Sequence, residues 1–206
     1  MDRPGKHAAH VRPLDPEETS AVNDILDVSQ KFGGYVPTSF RIMAHKPNIL
    51  RAFAGLIQEV MRAPGEVALP MKWLTAHAVS TAAACRYCMA HTSANGAKAG
   101  LSEEKAQELL NYETSPVFTA AERAIVALGL AAGAVPNAAT REHFDALREH
   151  FTEAGIVEIV AVISLFGWLN RWNDTFASDL EAAPLAFAQK TLSARGWDAG
   201  KHAPGT

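Results

Sequence analysis

The chain has 206 residues, 48% of them hydrophobic, which is enough for one sizeable core and gives no reason to divide it into independent domains. A net charge of −3 and a pI near 6.2 leave no basic surplus for phosphate backbones, and Lys and Arg are scattered, which argues against nucleic acid as a partner. The N-terminal stretch mixes Arg3, Lys6, His7, His10 and Arg12 with prolines and has no apolar run of the signal-peptide kind, so the expected location is the cytoplasm.

The segments from Met1 to Arg12 and from Ala199 to Thr206 are polar and without periodicity, and they are expected to be disordered tails around a single domain at 13–198. Leu14-Asp15-Pro16-Glu17-Glu18 offers an N-cap, a proline at the first helical position and early acid, predicting a first helix that Gly33-Gly34 ends. Pro37 to His45 suits a short helix. Pro47 opens a longer one, carrying Leu50, Phe53, Ile57 and Met61 at helical spacing until Pro64-Gly65. Pro70 starts an Ala-rich helix that runs toward Cys85, and helical character resumes at Cys88 until Gly100.

Ser102-Glu103-Glu104 begins a short helix, and Thr119-Ala120-Ala121-Glu122 is a capping box leading into Ile125, Val126 and Leu128. Helices are predicted from Thr140 to His150, Thr152 to about Leu180, and Leu185 to Arg195. The longest apolar stretch, Gly155 to Leu169, is interrupted by Glu158 and reads as a core helix rather than a membrane span. No segment alternates with a period of two, so the predicted class is all-α.

Only two cysteines occur, in Cys85-Arg86-Tyr87-Cys88, a spacing that suits a reversible redox pair in a reducing compartment. A thiol reacts as thiolate, which a helix N-terminus or a basic neighbour promotes. On an unbroken helix His91 lies one turn beyond Cys88, and His77 lies three turns back on nearly the same face. Cys88 is therefore the better placed nucleophile, with His91 and His77 as candidate proton carriers and Cys85 as the resolving thiol. Two other readings apply to the same residues: a zinc site of Cys85, Cys88, His91 and His77, and a pair of buried thiols that act as small hydrophobes. Taken alone, His77 on its Ala-rich face reads equally well as a core histidine.

An offset of 85 residues sets Cys85-Arg86-Tyr87-Cys88 against Asn170-Arg171-Trp172-Asn173, each after an apolar helix. The polar cluster of Asn170, Arg171, Asn173 and Asp174 suits either the pocket beside Cys88 or a helix anchor at an interface.

Lys72-Trp73-Leu74, Ala78-Val79-Ser80, the C-x-x-C, Ala90-His91 and Gly100-Leu101-Ser102 together resemble the carboxymuconolactone decarboxylase-like family in its alkylhydroperoxidase D-like (AhpD-like) branch. The likeness centres on about 69–130, and the stretch from Glu153 to Asp174 resembles a peroxidase-related subgroup. The resemblance implies an all-helical, homo-oligomeric protein (dimer, trimer or hexamer) whose second cysteine attacks a peroxide while the first resolves it. The family's proton relay uses a glutamate twelve residues before the first cysteine and a histidine four after the second; here those positions hold Trp73 and Thr92. The offset of 85 aligns Trp73 with Glu158, which makes Glu158 a candidate for the missing carboxylate.

The expected activity is thus thiol-dependent reduction of a hydroperoxide, with a dithiol protein or small thiol restoring the enzyme. No cofactor is expected, because Gly33-Gly34 is a helix stop and not a phosphate loop. The alternatives are lactone or isomerase chemistry on the same fold, and a non-enzymatic helical oligomer in which Trp168 and Trp172 build contacts.

Overall fold

A computed structural model describes residues 9–205, and the described residues contain helices and turns but no strand, as the period analysis predicts. The helices are α1 (Asn23–Gly33), α2 (Thr38–Met43), α3 (Pro47–Ile57), α4 (Leu69–Ala82), α5 (Arg86–Lys98), α6 (Glu103–Gln107), α7 (Ala120–Gly133), α8 (Arg141–Arg148), α9 (Glu153–Phe176) and α10 (Ala182–Leu192). α4 is the central element and packs against α5, α7 and α9. It is buried almost all round, from Leu74 to Ser80, which is why its sequence shows little amphipathic contrast. Its alanines let α7 approach closely: a Cβ at Gly129 would lie 2.8 Å from that of Ala78.

Several boundaries differ from the sequence expectation. The first helix does not run from Asp15; it begins as two short 3₁₀ turns, and the α-helix starts only at Asn23. Thr19 Oγ1 bonds both the Pro16 carbonyl and Asn23 Oδ1, an arrangement that competes with a regular helical ladder. α3 passes into a single π turn, Gln58–Arg62, before the chain turns away. α4 and α5 are not one helix, because Ala84 takes a left-handed conformation with φ 52° and Cys85 is extended.

The tails are also more ordered than composition suggests. Residues 1–8 lie outside the described residues, but Arg12 pairs with Glu18 at 2.6 Å and the His10 N–H donates to the Phe176 carbonyl. At the other end, Gly200–His202 forms a 3₁₀ turn whose His202 is fully buried, with Nδ1 2.8 Å from the Ser178 carbonyl and its ring tilted on Tyr87. Burial of a single aromatic side chain fixes a segment that has no periodicity to read. Cys85, Tyr87 and Cys88 pack with Leu180, Leu192 and Trp197, so the dithiol sits where α5 meets the C-terminal segment.

Candidate functional site

Helix α5 begins immediately after Cys85, whose Sγ caps it by accepting the Cys88 N–H at 3.3 Å. Both thiols are buried and free, but only Cys88 reaches the wall of a large cavity of roughly 1120 Å³. That volume lies at or above the upper end of ordinary small-molecule sites. Apolar side chains make up much of the wall, among them Trp73 from α4 and Leu165, Phe166 and Leu169 from α9.

Burial, and after it the neighbouring Cys85 sulfur, pushes the Cys88 thiol well above the usual range, so the resting group carries its proton. One contact works the other way. Asn173 Nδ2 donates to Cys88 Sγ at 3.6 Å, and the same amide donates to the Leu169 carbonyl at 3.0 Å, which fixes which end of the amide faces the sulfur. The residues related by the 85-residue offset therefore meet in space, although the cysteines lie across a helix break and the asparagine in the unbroken α9.

His91 lines the same cavity and is held at both nitrogens. Its Nε2 lies 2.7 Å from Glu181 Oε2 and its Nδ1 3.0 Å from the Tyr35 hydroxyl, while its ring stacks on Tyr87 with centroids 4.2 Å apart. Glu181, at the start of α10, also accepts from the Tyr87 hydroxyl at 2.9 Å and from the Thr38 N–H at 2.5 Å. Burial opposes charge on Glu181, but the electrostatic attraction and hydrogen bond of the His91 imidazole, with the Thr38 amide, hold its carboxyl below the usual range. An ionised Glu181 makes Nε2 of His91 the protonated nitrogen and leaves Nδ1 to accept from Tyr35. Burial and the Glu181 charge raise both phenols, so Tyr35 and Tyr87 stay donors.

The other sequence candidates lie elsewhere. His77 is fully buried, with Nδ1 2.9 Å from Thr92 Oγ1, and Thr92 donates to the main-chain carbonyl of Cys88, so that this chain of bonds reaches the backbone of Cys88 and not its sulfur. The break at Ala84 removes the continuous helix on which His77 would have faced the thiol. Glu158 accepts the Glu66 and Val67 N–H groups and pairs with Lys72 Nζ at 3.4 Å; Lys72 lines the cavity and Glu158 does not. Among the described residues no group of His, Cys, Asp and Glu is arranged to hold a metal, and the four residues of the zinc reading do not converge. In the polar cluster of α9, Asn170 Oδ1 accepts from Ser80 and Asp174 pairs with Lys201 at 2.9 Å, so Asn173 alone of the four lines the cavity.

Comparison with known proteins places the chain in a family and its fold among solved structures. Residues 47–132 match the carboxymuconolactone decarboxylase family. The debrominase Bmp8, solved as the apo protein and as a cysteine-to-alanine variant in complex with 2,3,4-tribromopyrrole, is 30% identical; the match covers 88% of this chain and 97% of that one, with TM-scores of 0.81 and 0.82. The chain belongs to the carboxymuconolactone decarboxylase-like family. Its fold is AhpD-like: an uncharacterized peroxidase-related protein of Ralstonia eutropha JMP134, described as an alkylhydroperoxidase AhpD core, is 22% identical over 98% of this chain and 100% of that one, with TM-score 0.72. A second peroxidase-related protein, from Silicibacter sp. TM1040, is 20% identical over 88% and 95%, with TM-score 0.75. No curated protein matches the sequence.

Proposed function

We propose that this family member is a dithiol peroxidase acting on organic hydroperoxides, with Cys88 as the attacking and Cys85 as the resolving thiol. The observation that carries the reading is the division of labour at α5: Cys88 opens onto the apolar cavity, while Cys85 is buried behind it with its sulfur on the Cys88 N–H. The Cys88 proton passes to the Tyr35 oxygen as the hydroxyl hands its own proton to Nδ1 of His91, the nitrogen it bonds at 3.0 Å, and the resulting imidazolium rests on Glu181. The thiolate attacks the terminal peroxide oxygen; the S–O bond forms, the O–O bond breaks, and the alkoxide takes up a proton and leaves as the alcohol. Cys85 then attacks the sulfenic sulfur, water departs and a disulfide closes. Two thiols are oxidised, one peroxide is reduced, and an external dithiol or small thiol reopens the bridge.

The likeness to the debrominase favours a second oxidant for the same dithiol, a halogenated aromatic ring. With such a ring in this cavity the C–Br bond would break and a C–H bond form, the two thiols supplying both electrons and the proton on carbon, while bromide leaves and the same disulfide closes. Titration of free thiols after one equivalent of cumene hydroperoxide tests the first reading. Two thiols should vanish in the wild type, a trappable sulfenic acid should accumulate only in Cys85→Ser, and Cys88→Ser should be inert. Thiols that survive peroxide but vanish with bromide release on adding 2,3,4-tribromopyrrole would replace the peroxidase by the dehalogenase, and thiols untouched by both would remove the two together.

A further inference from the structure

The cavity that reaches Cys88 is apolar along its length but not neutral. Arg62, Lys72, Lys98 and His91 all line it, and no carboxylate does. Two of these groups are partnered from behind the wall, Lys72 by the ion pair with Glu158 at 3.4 Å and His91 by its hydrogen bond to Glu181 at 2.7 Å. Arg62 and Lys98 have no ion pair among the described residues, and both are exposed. Their polar contacts converge on one place. The Arg62 guanidinium lies over the Phe32 ring at 4.8 Å, and Lys98 Nζ donates to the Gly33 carbonyl at 2.7 Å while lying over Tyr35 at 5.5 Å. Two cations from different elements thus flank the C-terminal end of α1. Each has N–H groups to spare, because Lys98 commits one of its donors and Arg62 gives its face to a ring.

The position of this cationic end relative to the thiol follows from α5. At 100° per residue Cys88, His91, Asn95, Lys98 and Ala99 fall within one face about 100° wide, and all five line the cavity. Cys88 is at the start of that face and Lys98 at its end, about 15 Å farther along the helix axis. Phe32, exposed over 67% of its surface, marks the cationic end as the side open to solvent.

We propose that the cavity selects an amphipathic organic acid, with its carboxylate between Arg62 and Lys98, its apolar body along α5, and its reactive group at Cys88. A compact neutral molecule would leave most of this length empty, whereas an acid with an extended chain or fused rings spans it. Charge-assisted hydrogen bonds to the two cations would fix its orientation and keep the acid out of the apolar depth, where desolvation forbids it. The proposal names the substrate class for the thiol reaction above and rests on that reading only for what happens at the sulfur.

Binding of dodecanoate and of its methyl ester to the full chain, followed by tryptophan fluorescence or calorimetry, separates the alternatives. The acid should bind about tenfold or more tighter than the ester, and added salt should erode the difference. In the double variant Arg62→Gln, Lys98→Gln the two should bind alike, near the affinity of the ester. Cys88→Ser should keep the preference even if it abolishes thiol chemistry, so failure of the redox reading would leave this result intact. Equal binding of acid and ester to the wild type, a preference that persists in the double variant, or no binding of dodecanoate would each overturn the proposal.

Discussion

At the level of single residues, Asn173 is the side chain whose effect on the thiol is easiest to isolate. Its amide orientation is set by the Leu169 carbonyl, so the N–H turned to Cys88 cannot exchange with Oδ1 without facing one acceptor to another. A donor to sulfur favours the thiolate, against the burial that disfavours it. Asn173→Leu removes the donor at similar volume and should slow alkylation of Cys88 by roughly fivefold to tenfold at fixed pH, with the reactivity profile displaced upward. The clean measurement is the rate of iodoacetamide reaction against pH in a Cys85→Ser background; an unchanged profile would show that the 3.6 Å contact does not influence the thiolate. Cys85, Cys88 and His91 were legible in the sequence because their spacing is local. Asn173 was half-legible, through the 85-residue offset, but nothing short of the fold decides between a pocket and an interface. Glu181, Tyr35 and Tyr87 carried no such signal, since a single carboxylate at the start of an Ala-rich helix looks like any capping acid.

Between elements, the segment from α4 to α5 shows where periodicity stops being a guide. The capping box at Thr119, and with it the start of α7, could be read directly, because local hydrogen bonds decide it. The left-handed Ala84 could not, and it turns His77 from a neighbour of the thiol into a tie between α4 and Thr92 of α5. Burial holds the His77 pKa down at about 4, against an ordinary value of 6.5. Between these values the unfolded chain binds a proton that the native chain does not, so stability falls as pH drops through the window and is fully present above it. The shift amounts to about 3 kcal/mol lost between pH 6.5 and 4. His77→Gln should flatten that limb of a plot of urea-unfolding free energy against pH, whatever it does to stability at pH 7. A slope equal to that of the wild type would mean that another group carries the acid sensitivity.

Over the whole molecule, the candidate site is assembled from parts far apart in the chain. Tyr35 and Thr38 come from the N-terminal third, the dithiol and His91 from the middle, and Glu181 from the start of the last helix. Glu181 is the common partner, accepting from the Thr38 amide, the Tyr87 hydroxyl and His91 at once. A carboxylate has the acceptor capacity for this and an amide does not: in Glu181→Gln, whichever way the amide lies, its NH2 meets at least one donor. Leaving at least one of these three donors facing an NH2 group and without an acceptor should cost about 3 kcal/mol, or a melting temperature lower by roughly 10 °C for a chain of this size. The effect should reach beyond stability, because without a charged acceptor His91 loses the constraint that keeps Nδ1 free for Tyr35. The pH profile of Cys88 alkylation should then change in the variant at temperatures where it remains folded, which simple loosening of α10 would not produce. A lower melting temperature with an unchanged profile would make Glu181 a clamp for the C-terminal segment and separate it from the handling of the proton.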